Sequence, residues 1–227
     1  MFFYDYTYII LVPALIISFW AQMKINSAFE KYKEMHSVNG YTGAQVARML
    51  LDANGLYDIP VEAIGGKLSD HYDPSRRIMR LSSEVFYGNS VASIGVAAHE
   101  TGHAIQHKFN YAPLKIRNSI VPVVNVSSHL SWVLFFLGIV LRFAGLINLG
   151  ILLFSAVVAF QLVTLPVEFN ASKRALNILR SRTILYDNEL VGAKAVLDAA
   201  AMTYVAAALM AISQLLRLIL ISNRNRD

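Results

Sequence analysis

Four stretches of this chain are each apolar enough to cross a bilayer core of about 30 Å, which takes roughly 17–25 residues. They run from about Tyr6 to Met23, Ser119 to Leu141, Leu146 to Leu165 and Ala199 to Ile221. Such runs commit much of the chain to helices, because in lipid every backbone polar group must be satisfied within its own element. Composition agrees: 56% of the 227 residues are hydrophobic and only 15% charged, with a mean hydropathy of +0.46. A disordered chain and an ordinary soluble domain are both excluded. The absence of cysteine excludes disulfide stapling, thiolate metal sites and a thiol nucleophile. A net charge of +5 without a basic stripe of interleaved aromatics argues against a nucleic-acid partner and fits basic loops beside a membrane.

The spans organise the rest. Residues 1–23 read as an uncleaved anchor, with Tyr4, Tyr6 and Tyr8 at one interface and Trp20 at the other. Residues 24–118 form a polar catalytic region and 119–165 a transmembrane hairpin, closed by the short Arg142-Phe143-Ala144-Gly145 link. A polar segment follows at 166–198, and 199–227 hold the fourth span and the tail, with Arg217 snorkelling near one end. Within the polar region, Ala44–Asn54 has helical apolar spacing and ends at Gly55. Val61–Ile64 and Lys67–Ser69 around Gly65-Gly66 suggest a hairpin, and Ile78–Leu81 a further strand after the Asp73-Pro74 turn. Val91–Phe109 is Ala-rich, lacks proline and reads as a helix. The expected fold is therefore mainly α: a polytopic membrane protein of about four transmembrane helices with a zincin-like α+β region and a small sheet.

That Ala-rich helix carries His99-Glu100-Thr101-Gly102-His103, an H-E-x-x-H sequence. Histidines at i and i+4 lie on one helix face about 6 Å apart along the axis, so both can reach one ion. The Glu between them then sits beside the ion's open position, placed to take a proton from bound water. With 6 His and 7 Glu in 227 residues, chance would produce the pattern in roughly 0.5% of shuffles. Catalytic zinc takes three protein ligands. His107 continues the stripe but stands about 12 Å from His99 along the axis, too far for a shared ion. The extended metzincin pattern fails because Gln106 and Phe109 occupy its Gly and last His. A carboxylate from another helix remains, and the only glutamates downstream are Glu168 and Glu189. Glu168 follows the third span, just inside a new helical stretch after Pro166, on the side to which the hairpin returns; the lesser alternative is an interfacial Glu capping that helix. Glu189, beside Asp187 and Asn188, reads as a solvated turn.

The segments Val96-Ala97-Ala98-His99-Glu100-Thr101-Gly102-His103-Ala104-Ile105-Gln106-His107 and Leu165-Pro166-Val167-Glu168-Phe169-Asn170-Ala171-Ser172 resemble the YugP-type neutral zinc metallopeptidases of bacterial membranes. The likeness covers nearly the whole chain, including Ser69–Pro74 and Ala200–Val205. The later segment is more distantly similar to the E-F/Y-x-A-D segment of HtpX-type membrane proteases. The resemblance implies a gluzincin-like site: His99, His103 and Glu168 on Zn2+, Glu100 as general base, and a polypeptide substrate. Ser172 stands where that segment has Asp, and Asn170 where the YugP-type proteins often have Asp, so a hydroxyl or amide would take the place of a carboxylate behind a ligand.

Tyr72, His107 and Tyr204 are candidates for substrate or transition-state contacts, and the Ile78–Leu81 strand for pairing with an extended substrate. His129, inside the second span, is expected to face other helices or a polar cavity. Lys24, Lys31, Lys33, Lys108, Lys115 and Arg117, with Lys173, Arg174, Arg180, Arg182 and Lys194, flank the spans on one side, against Arg142, Arg224 and Arg226 on the other. The positive-inside rule then puts the site in the cytoplasm, at the bacterial plasma membrane. The leading expectation is a membrane-embedded zinc endopeptidase. The alternative is a non-hydrolytic membrane protein that handles or transports metal, for which Asn125 and His129 would line a path.

Overall fold

A computed structural model describes residues 6–224. Tyr4 and Arg226, used above to place the spans, lie outside the described residues. The fold is mainly helical with one small sheet. A 3-10 turn at Tyr6–Ile10 leads into α1 (Leu11–Lys33), followed by α2 (Gly43–Ala53), β1 (Val61–Ile64), β2 (His71–Asp73) and β3 (Ile78–Ser82). After these come α3 (Ser83–Tyr87), α4 (Val91–Lys108), α5 (Ala112–Val140), α6 (Ala144–Ser181) and α7 (Asp187–Arg224). Four helices are long and apolar enough to cross a membrane: Tyr6–Lys33, Ala112–Val140, Ala144–Ser181 and Asp187–Arg224.

Contacts divide the chain into two compact units. One comprises Met1–Gln22, Lys115–Pro166 and Thr203–Asp227. Its core is small, centred on Phe135, Ile147, Phe154, Val158, Ala211 and Leu218. Leu141, Arg142 and Phe143 form the tight link between α5 and α6, with Arg142 at φ 50°. His129 is exposed on α5, hydrogen-bonded only to its own turn through Ser128 and the Asn125 carbonyl, and Asn125 is exposed too. The expectation that His129 faces other helices fails, because local i−4 and i−1 bonding satisfies one ring nitrogen without a packed partner.

The other unit comprises Met23–Leu114 and Val167–Met202. Its α2 starts with a capping box, in which the Thr42 hydroxyl accepts from Gln45 N–H and the Gln45 side chain accepts from Thr42 N–H. The sheet order is β1-β3-β2. β1 runs parallel to β3, pairing Val61 with Met79, and β2 runs antiparallel to it, pairing Tyr72 with Met79. The expected Gly65-Gly66 hairpin is therefore absent. With Gly66 at φ 102° and Leu68 at φ 54°, and Ser69 Oγ donating back to the Gly65 and Gly66 carbonyls, the chain curls over instead of returning in register. The hairpin turns at Asp73-Pro74 instead. Because β3 is central, both its edges are filled, and pairing of substrate with Ile78–Leu81 is ruled out.

Two further expectations are corrected. Pro166 begins no new helix, since α6 runs unbroken through it; proline removes one backbone bond, a loss that helices of this kind absorb. Glu189 is no solvated turn: it is 3% exposed, and its carboxylate accepts from the Val38 and Tyr186 N–H groups. Capping the first turn of α7 on one oxygen and a distant loop on the other, it is satisfied enough to be buried.

Candidate metal and active site

Helix α4 begins at Ser90, whose hydroxyl accepts from Ser93 N–H. It is buried almost all round, as a helix whose faces all carry small or apolar residues must be. Small residues also set how close its neighbours come. A Cβ on Gly102 would lie 2.8 Å from the Ala171 carbonyl oxygen, so glycine lets α4 lie directly against the backbone of α6. That approach brings two sequence-distant segments together at the H-E-x-x-H turn.

His99 and His103 stand edge to face with ring centres 4.7 Å apart. Glu168, 2% exposed, reaches them from α6: its Oε2 lies 3.3 Å from His99 Nε2 and 3.5 Å from His103 Nε2. Bonds of about 2.0–2.1 Å in tetrahedral geometry make donor-to-donor edges of about 3.3 Å, so these spacings fit a zinc-sized ion. His99, His103 and Glu168 also form the one His/Asp/Glu cluster of metal-binding geometry among the described residues.

The far side of each imidazole is held. Ser172 Oγ lies 3.1 Å from His99 Nδ1, so a hydroxyl does occupy the place of the Asp. His103 Nδ1 lies 3.0 Å from Gln106 Oε1. Gln106 is fully buried, and its Nε2 donates to the Val167 carbonyl and to Asn170 Oδ1, which also accepts from Arg174 Nε. Those bonds fix which end of the Gln106 amide is which. Its oxygen must face His103, which assigns a proton to Nδ1 and leaves Nε2 to meet Glu168 through a second proton or a metal ion. Gln106 was missed in sequence; a glutamine three residues after the second histidine, on a helix with no polar face, was its only signal.

Charge supports the same arrangement. Burial alone would raise the Glu168 carboxyl, but hydrogen bonds and charge from His103 and His99 hold it well below the usual carboxylate range. Burial works against a charged His103, yet Glu168, Glu100 and Gln106 together push its pKa above the ordinary imidazole value. The cluster is thus a ready anionic acceptor beside two imidazoles that a cation would hold by replacing a proton.

Glu100 is 8% exposed, and its Oε2 accepts from the Tyr72 N–H at 3.0 Å. The other end of Tyr72 is tied too, its hydroxyl lying 2.9 Å from His107 Nδ1. Burial pushes the Tyr72 phenol up, and burial with the charge of Arg77 pushes His107 down, so both directions favour a neutral phenol beside a neutral imidazole. The structure therefore brings Tyr72, on β2, together with His107, on α4. Tyr204, the remaining candidate, stands half-buried on α7 in the other unit.

The H-E-x-x-H helix and a carboxylate from a second helix make a three-donor cluster that could hold a metal ion, and residues 7–223 match the family described as "Putative neutral zinc metallopeptidase". The chain belongs to that family. It is similar to the "Putative membrane protease YugP" of Bacillus subtilis (strain 168), 53% identical over 216 residues that cover 95% of this chain and 96% of the relative. No solved structure matches the chain.

Proposed function

We propose that the protein is an integral membrane zinc endopeptidase whose site faces the cytoplasm and acts on membrane proteins or on peptides at the bilayer surface. His99, His103 and Glu168 are the metal ligands and Glu100 the general base. The observation that carries this reading is the convergence of two Nε2 atoms and one carboxylate oxygen beside a glutamate that is held but not bound into the cluster. Bound zinc would supply a water acidified to a pKa near 7 and a Lewis acid for the scissile carbonyl.

The chain's own residues do the rest. Tyr72 N–H fixes Glu100 Oε2, which leaves Oε1 to take the proton as the water oxygen bonds to the carbonyl carbon. Glu100 then delivers that proton to the amide nitrogen as the carbon–nitrogen bond breaks. Gln106 and Ser172 hold the histidine tautomers through both steps. His107 acts through Tyr72, keeping β2 against α4, and is a positioning residue. The cytoplasmic placement rests on the basic flanks of the spans.

The test is metal content of the purified full-length protein with peptide cleavage followed in parallel. Wild type and Glu100→Gln should each hold about one zinc per chain, while Glu100→Gln loses about 10²–10⁴ in rate. Glu168→Ala should bind zinc more weakly. Wild type without stoichiometric metal, or Glu100→Gln cleaving like wild type, overturns the hydrolase. For orientation, the cysteine-free chain allows Ser69→Cys as a single reporter. It should resist an impermeant thiol reagent in intact cells, and ready labelling would place the site outside.

A further inference from the structure

Between Asp198 and Arg224 the sequence of α7 has a single charged residue, Arg217. It is 8% exposed and about 10 Å, or seven residues, before Arg224 on the same helix face. Its Nε donates to Thr7 Oγ1 at 3.2 Å, and its guanidinium carbon lies 3.8 Å from the centre of the Tyr8 ring. Both arginines line a cavity of about 540 Å³. The rest of its wall is strongly apolar: Trp132 and Phe136 stack with ring centres 5.7 Å apart and 20° between planes, next to Ile139 and Ile221.

Two guanidiniums at one end and a flat aromatic and aliphatic wall along the other have the chemistry of an anionic amphiphile. A guanidinium offers a planar fork of N–H donors that matches a phosphate, and a charge carried this far into an apolar span points to a functional partner. Seven residues of rise, about 10 Å, exceed the headgroup depth of about 5–7.5 Å per leaflet, so with Arg224 at the outer surface Arg217 reaches the edge of the hydrocarbon and the pair spans a whole headgroup. We infer that this cavity binds one anionic phospholipid, its phosphate between Arg217 and Arg224 and an acyl chain against Trp132 and Phe136. A free phosphate would gain nothing from the apolar wall. The inference does not depend on the peptidase reading.

Delipidated full-length protein in mild detergent, titrated with phosphatidylglycerol or phosphatidylcholine of identical chains and read by native mass spectrometry, tests it. Wild type should prefer phosphatidylglycerol by about thirtyfold for two arginines, and Arg224→Gln, at an exposed position, should lose about fivefold. The Arg217→Gln/Arg224→Gln double variant should lose the preference altogether. Ile139→Trp, which fills the apolar end and keeps both charges, should block both lipids, and millimolar inorganic phosphate should not compete. Equal retention of the two lipids, an unchanged preference in Arg224→Gln, or undiminished lipid binding in Ile139→Trp overturns the site. Competition by phosphate as effective as by lipid overturns the lipid assignment.

Discussion

The two units use the same apolar side chains in opposite ways. In the unit that carries the H-E-x-x-H helix, Leu50, Leu51, Ile59, Leu81 and Ile94 are fully buried. In the other, Ile16 is 64% exposed, Phe19 67% and Leu152 65%, around a core of only six buried residues. The difference lies in the solvent each expects. Water drives apolar groups inward, whereas lipid tails are as apolar as leucine and leave nothing to gain by hiding it. Polar groups divide less cleanly, since the lipid-facing unit buries Arg217 against Thr7 and Tyr8. The site unit buries Glu100, Gln106, Glu168 and Glu189 inside satisfied networks, while His129 in the other bonds only to its own turn.

The contrast predicts unequal responses to truncation. Leu50→Ala should destabilise the site unit by about 2–5 kcal/mol, read by denaturant or thermal unfolding in detergent. A loss under 1 kcal/mol would mean that its core is not close-packed. Gly102→Val comes next, at about 1–3 kcal/mol, because its side chain must displace the Ala171 carbonyl. Separating α4 from α6 should also weaken metal binding, so a variant that loses stability but keeps full metal affinity would show that the close approach is not what builds the site.

Gln106→Leu keeps the volume but removes the acceptor behind His103, and should lower zinc affinity by about 10–100-fold in a competition assay with a chelator. Unchanged affinity would reduce Gln106 to packing. On pH the sign is definite. His103 holds its proton above the ordinary imidazole pKa until metal displaces it, while Glu168 remains ionised across that range. Zinc affinity should therefore fall about tenfold for each pH unit below the raised His103 pKa, and a flat profile between pH 7 and 5 would contradict the proposed ligands. The smallest effect belongs to the lipid-facing side: Ile16→Ala should change stability by no more than about 0.5 kcal/mol.

What the sequence disclosed was what depends on local period. The apolar runs and the i, i+4 histidines each lie within a few turns of one helix, and Glu168 was reachable because so few glutamates follow the motif. Non-local pairing stayed hidden. The parallel register of β1 on β3 joins residues eighteen apart through no turn signal, and a Gly-Gly pair was a persuasive false one. Gln106 was overlooked and Glu189 misread for one shared reason: a polar residue reads as solvated until its partner, some 60 to 150 residues away, is known.

The unbroken course of α6 sets an order in time. On the proposed ligand set, the two histidines leave the ribosome some 70 residues before the carboxylate that completes them, and that carboxylate is carried on the same rod as the third span. With that ligand set, the metal site stays incomplete in the nascent chain until the helix bearing Glu168 has been made.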